Sequence, residues 1–468
     1  MLPRNLAGSS ALLLLLALAP LSAACSDDAN SDGEGGQDPD VELPPDTEPD
    51  PQTQKCPVPT HGPTIHTAGA IESDETWAAD ASPHIVEGFI AVRAGATLTI
   101  EPCSVVQFED EYAGLTVAYP GSPTTGSLIA EGKENLPIRF EGKDGARWGH
   151  ILIDAGGTAS FAHLTIADGG GYDPRGTSLL INGRSELPTK RDVLVDHVTI
   201  EKSLGAGVVL DRIGGFAEGS TDLVIKDSGS VDSPYPVQTD EHGIDTLPRG
   251  TYTGNVADKI YVNPTSRLGE SATMKNLGVP YYVGTFGDDD FVVGLGPDTA
   301  LVTLTIEPGT RIEMHPGTAF KAEHTTGEFA ASGAIVAEGT AAEPIVFTSG
   351  AATPAAGDWQ GLNFGGIART ENSFKHVRLE YTGAWCGCVL QTCNDIEQFE
   401  GAIIFSQEPA RAFFEDTVIA DAAANGVVLG YLGNMVDVAS GITFEEVGGC
   451  RQTLPNPGTC PSPKPACE

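Results

Sequence analysis

Residues 97–108 read TLTIEPCSVVQF, and residues 303–314 read TLTIEPGTRIEM. The correspondence continues in order along the chain. SLIAEGKENLPIRF (127–140) answers AIVAEGTAAEPIVF (334–347), and WGHILI from Trp148 answers WQGLNF from Trp359. FAHLTIADGGG (161–171) answers FKHVRLEYTGA (374–384), GVVL (207–210) recurs at 426–429, and LVIKDSG (223–229) answers ITFEEVGG (442–449). The offset drifts from about 206 to about 219 residues, which a few loop insertions explain. One architecture is therefore expected twice, and a repeat on this scale has to be settled before any other fold reading.

Helical periodicity is almost absent. The recurring unit is a short alternating strand that ends in Gly or a small polar residue. In HLTIADGG (163–170), Leu164 and Ile166 point one way, His163 and Thr165 the other. The same unit recurs as HVTIEKSLG (197–205), DLVIKDSG (222–229), HVRLEYTG (376–383) and DTVIADAAANG (416–426). Counterpart strands return every 20–30 residues or so, and two-residue hairpin turns are scarce. That spacing predicts the coil of a solenoid, in which no coil buries its apolar side alone and stability comes from stacking.

GATLTIEPCSVVQF, GSLIAEGKENLPIRF and the Trp-led strand after them resemble the coils of right-handed parallel β-helix proteins of the pectin-lyase-like superfamily. LTIEPGTRIEM, GAIVAEGTAAEPIVFTS and WQGLNF resemble them more closely still. The resemblance covers roughly 90–230 and 300–450. It implies an all-β, right-handed parallel β-helix built as two tandem copies, with a Pro-Gly corner in LTIEPGT. Cys103 stands where the second copy has Gly309, a departure that a disulfide explains. The superfamily includes lyases, hydrolases, adhesins and proteins with no known activity, so the resemblance speaks to fold and hardly to chemistry.

The N-terminus reads as an export signal over 1–24: Arg4, an apolar run from Ala11 to Leu18, then Ala23-Ala24 before Cys25. LSAAC (21–25) resembles the lipobox of bacterial lipoproteins, with Leu21 one place further from the cysteine than is usual. The resemblance implies a lipid on Cys25, and Ser26 after it implies the outer membrane or cell surface. Residues 25–55 read as a disordered acidic tether, with ten Asp or Glu and one Lys from Ser26 to Lys55.

Formal net charge is −38. Nucleic acid is not an expected partner, because its binding needs clustered Lys and Arg. The expected partners are a membrane, through the lipid anchor alone, and polysaccharide or other surface proteins. Eight cysteines follow Cys25, an even number in an exported chain, and disulfides are the default expectation. Cys56 is expected to pair with Cys103. Cys386, Cys388, Cys393, Cys450, Cys460 and Cys467 leave fifteen connectivities open, with zinc on CGCVLQTC (386–393) as the alternative.

These readings divide the chain into 56–230 (first copy, covered by 56–90), 231–299 (connecting lead-in), 300–449 (second copy) and 450–468 (Cys- and Pro-rich cover). Candidate calcium ligands are Asp240, Glu241 and Asp245 beside His242, and Asp288, Asp289 and Asp290. Nothing in the sequence requires an organic cofactor. The hydrolase motif set NTD, DD, GHG, RIK is missing: DRIGG (211–215) has Gly214 where Lys belongs, and neither His61-Gly62 nor His242-Gly243 follows a Gly. His163, His197 and His376 repeat one outward position, and Trp148 and Trp359 repeat one packing position. Tyr172, Tyr381 and Trp385 are the aromatic contact candidates. The leading expectation is a non-catalytic surface module, structural or adhesive, with glycan contacts. The alternative is a polysaccharide lyase or glycoside hydrolase.

Overall fold

The computed structural model describes residues 55–118, 124–184, 192–285, 289–385, 400–455 and 466–468. Cys25, Asp288, Cys386, Cys388, Cys393 and Cys460 lie outside the described residues, as do the expected signal and nearly all of the tether. Among the described residues there is no α-helix; strands and short 3-10 turns carry the chain.

The chain winds as a parallel β-helix. One 14-stranded sheet runs its whole length, from Gly69–Ile71 to Ile442–Val447, and gains one strand per turn. The strand that precedes it in each turn forms a first face. This face begins with Thr64–His66, His84–Val86 and Val105–Phe108, and ends with Ser373–Lys375 and Phe414–Glu415. The strand that follows forms a third face, from Glu75–Trp77 through Thr97–Ile100 to Asn425–Leu429. The ladders are parallel, for example Ile260↔Tyr281 and Ile312↔Phe347 on the long sheet.

Alternation puts one apolar set inside all three faces. Phe108, Phe140, Trp148, Phe161, Phe291, Phe320, Phe347 and Trp359 are fully buried there. Their rings stack at the rung spacing of a sheet, about 4.8 Å. Phe291 lies 4.7 Å from Phe320, Phe364 4.9 Å from Phe405 and Phe374 4.8 Å from Phe414. Fully burying one such side chain contributes about 2 kcal/mol, and part of that contact is made with the next turn, as stacked-coil stability requires. Trp148 and Trp359 pack alike: each indole Nε1 donates to a carbonyl one turn on, Ala167 at 2.6 Å and Glu380 at 2.7 Å.

The corners between third and first faces carry His163, His197 and Asp222, and those between the first face and the long sheet carry His376 and Asp416, all at φ 42–53°. Short polar residues tolerate this left-handed region best.

Sequence-matched segments do not share a face. TLTI at 97–100 lies on the third face, between Glu75–Trp77 and Gly126–Glu131. TLTI at 303–306 lies on the first, between Ala272–Met274 and Gly333–Glu338. Val105–Phe108 opens the third turn on the first face, whereas Arg311–Met314 is the tenth strand of the long sheet. Matched residues are thus separated by seven turns and one further face.

Two sequence-drawn boundaries need correction. Residues 231–299 are not only a lead-in: Val237–Thr239, Ile260–Val262 and Tyr281–Val283 are strands of the long sheet, which passes through this stretch without a break. Residues 64–90, part of the 56–90 stretch expected as cover, form the first turn and part of the second, because Ile71, Trp77, Val86 and Ile90 join the common core. Only the short segment before Thr64 caps the end, tied down by the Cys56–Cys103 disulfide. At the other end Cys450 is bonded to Cys467, and Thr453 pairs antiparallel with Cys467.

Candidate functional site

The long sheet presents one outward column in strict register. It is apolar or small in the early turns, from Ala70 and Ala91 through Thr116 to Leu152, Leu180 and Val209. Leu152, Leu180 and Val209 form with Ala206 an apolar cluster separate from the core. Then the column changes character: Val209↔Gln238, Gln238↔Tyr261, Tyr261↔Tyr282, Tyr282↔Glu313. These residues come from the 231–299 stretch and the turn after it.

Tyr235 lies against both tyrosines, its ring 5.3 Å from Tyr261 and 5.7 Å from Tyr282 at interplanar angles of 25° and 24°. Tyr261 and Tyr282 are 6.1 Å apart, and His315 meets Tyr282 edge-on at 6.1 Å. The four rings floor an open groove of about 370 Å³ whose walls include Arg175, Asp232, Gln238 and Thr285. Burial first, then the neighbouring rings, lifts the phenols of Tyr235 and Tyr261 to about 12, so both stay neutral donors at ordinary pH. The nearby cations are paired. Lys259 sits 5.4 Å over the Tyr282 ring and bonds Glu313 at 2.6 Å. Arg175 bonds Asp173 and Asp211, each at 3.2 Å.

A second groove of about 600 Å³ opens on the same face near its N-terminal end, lined by Phe89, Ala91, Arg93, Thr116, His150 and Tyr172. Phe89 lies 5.0 Å from Tyr172 and 5.3 Å from His150, and exposed Tyr112 lies 6.1 Å from Tyr172. Both grooves thus present aromatic faces beside polar edges, along one sheet.

The structure brings Tyr172 into this second groove. Tyr381 instead takes a left-handed corner at φ 61°, and Trp385 is 64% exposed. Asp240, Glu241 and His242 are buried together at the end of the seventh turn. Asp240 accepts from the backbone N–H of Ile213 and His242, each at 2.9 Å, and of Gly243 at 3.1 Å. Glu241 accepts from Thr265 N–H at 2.9 Å and from the Ser266 hydroxyl, and lies 3.3 Å from His242 Nδ1. Burial raises the Asp240 carboxyl. Burial opposes the charge of Glu241 too, yet the bonds from His242 and Ser266 hold it below its ordinary value. Asp245 lies within a 3-10 turn, Ile244–Thr246, and its backbone carbonyl accepts from Lys275 Nζ at 2.6 Å. Asp289 accepts from the Thr285 hydroxyl, while Asp290 pairs with Lys321 and accepts from Ala319 N–H at 2.7 Å.

The tyrosine column was missed from sequence. Its signal is present: IYV (260–262) and YYV (281–283) place a tyrosine at the same strand position 21 residues apart.

Residues 299–387 match the family described as a pectate-lyase like beta helix domain. Comparison with curated proteins finds no match, and comparison with solved structures finds none.

Proposed function

We propose that the chain is an exported, non-catalytic surface module that binds a neutral glycan strand along the outward face of the long sheet. Tyr235, Tyr261 and Tyr282 carry the reading. Three neutral rings in a row offer apolar faces to sugar rings and hydroxyls to their edges, and amphipathic aromatics of this kind suit a site that is half dry and half wet. The second groove, at Phe89 and Tyr172, extends the footprint. From Thr116 to Tyr282 the column climbs six rungs, about 29 Å at ~4.8 Å each, a length that suits a polymer better than a single sugar. Charge favours a neutral partner: the chain carries −38, and Arg175 and Lys259 are committed to Asp173, Asp211 and Glu313.

The remainder of the reading concerns the chain's setting. Residues 1–24 direct export, Cys25 carries the lipid, residues 25–55 hold the solenoid off the outer membrane or cell surface, and the two matched halves are tandem copies.

Affinity electrophoresis and glycan-array binding test the proposal with neutral and uronate polymers. Tyr261→Ala and Tyr282→Ala are expected to weaken binding of a neutral polymer about tenfold each, since aromatic contacts contribute about 1 kcal/mol or more. Unchanged binding in the double variant would discard the tyrosine column as the site. The polysaccharide lyase or glycoside hydrolase alternative has the pectate-lyase like match at 299–387 in its favour. Release of unsaturated or reducing ends, lost with EDTA, would establish that alternative instead.

A further inference from the structure

Away from the tyrosine face, one corner of the solenoid gathers a histidine between two carboxylates. We propose that Asp196, His197 and Asp222 form a site for a divalent transition metal ion of the zinc or copper type. The proposal is independent of glycan binding.

The backbone holds the ligands in place from both sides. Asp196 pairs in register with Thr221, and Val198 with Leu223, so His197 and Asp222 occupy the same corner on successive turns. His197 Nδ1 lies 2.6 Å from Asp196 Oδ1, and His197 Nε2 lies 3.4 Å from Asp222 Oδ2. One ligand atom from each of the three falls within 4.8 Å of the others. This is the arrangement of a metal-binding imidazole: one ring nitrogen donates to a carboxylate that fixes tautomer and orientation, and the other faces the ion. Here Asp196 is the orienting partner, Nε2 is the ligand nitrogen, and Asp222 supplies the oxygen on the far side. The His163 ring stacks on His197 with centroids 4.8 Å apart, which restricts rotation of the ring. His197 and Asp222 are half exposed, leaving room for water to complete the coordination. Imidazole with carboxylate favours zinc, copper or nickel over calcium or magnesium.

The sequence-matched corner in the later turns, between the first face and the long sheet, provides an internal contrast. His376 Nε2 lies 3.8 Å from Asp416 Oδ2, but the residue before His376 is Lys375, whose ammonium lies 2.8 Å from Glu415. A cation stands where the earlier corner has the Asp196 carboxylate, so the second corner lacks the group that orients the imidazole in the first.

Zn²⁺ titration of the full chain in metal-free buffer, followed by calorimetry, tests the assignment. Cu²⁺ titration followed by electron paramagnetic resonance gives a second readout. His197→Ala and Asp222→Asn are expected to abolish one equivalent of binding, and Asp196→Asn to weaken it about tenfold through loss of ring orientation. His376→Ala is expected to leave binding unchanged. These side chains are outward, so the apo variants should keep the wild-type melting temperature, which separates ligand loss from misfolding. Identical isotherms for wild type and His197→Ala would overturn the proposal, as would failure of both ions to bind more tightly than about 0.1 mM.

Discussion

Cys103 and Gly309 occupy sequence-matched corners, and both take a left-handed backbone, φ 74° and 77°. Glycine adopts this conformation freely, while any other residue is strained there by about 1–2 kcal/mol. The first copy tolerates the strain because Cys103 anchors Cys56. The second copy has no such anchor at this corner. A Cβ on Gly309 would also come within 2.7 Å of Asn276 Nδ2, which donates to Pro308 O. Gly309→Ala is therefore expected to lose at least about 1 kcal/mol in denaturant titration; a neutral outcome would refute the corner argument.

Breaking the Cys56–Cys103 bond should act locally. It closes a separation of 47 residues, for which chain entropy predicts about 4 kcal/mol. In a stacked solenoid that loss is confined to the neighbouring turns. The Cys56→Ser, Cys103→Ser variant should show faster amide exchange at 64–77 and unaltered exchange at 442–447. Uniform acceleration along the chain would contradict the nearest-neighbour picture.

Acid should loosen the same end. His66 Nε2 and His84 Nδ1 lie 3.0 Å apart, His84 Nε2 donates to Ala78 O at 2.9 Å, and Trp77 stacks on His66 at 3.9 Å. Burial lowers the pKa of both histidines. The unfolded chain therefore takes up protons near pH 6.5 that the folded end resists, so stability is full above that pH and falls as pH drops through the lowered values. Buried His150 is shifted the same way, while His242 is shifted upward and works in the opposite direction. Tm measured from pH 7.5 to 5 should decline, and His66→Gln, His84→Gln should flatten part of the decline. An unaltered slope in the double variant would remove these two residues from the explanation.

The lipid expectation has its own test. Cys25→Ala should move the protein from membrane to soluble fractions, and a protein still partitioning with membranes would count against acylation.

Much of the architecture is legible in the chain itself. Alternation in HLTIADGG, HVRLEYTG and their relatives is a local property, and it correctly predicted that Leu164, Ile166, Val377 and Leu379 point into the core. The matched EPC and EPG corners mark Cys103 and Gly309 as equivalent by sequence alone. Alternation cannot say which face a strand joins, because that depends on how many turns separate it from its neighbours. Residues 231–299 look like a connection because their strands are short, yet they complete turns. They also leave the halves out of phase, so Val105–Phe108 and Arg311–Met314 face different ways. Tyr235, Tyr261 and Tyr282, and likewise Asp196, His197 and Asp222, meet only through lateral register between turns some 20–30 residues apart. Inside and outside were thus written in the sequence by local periodicity, whereas the residues that share a surface were chosen by the winding of the whole solenoid.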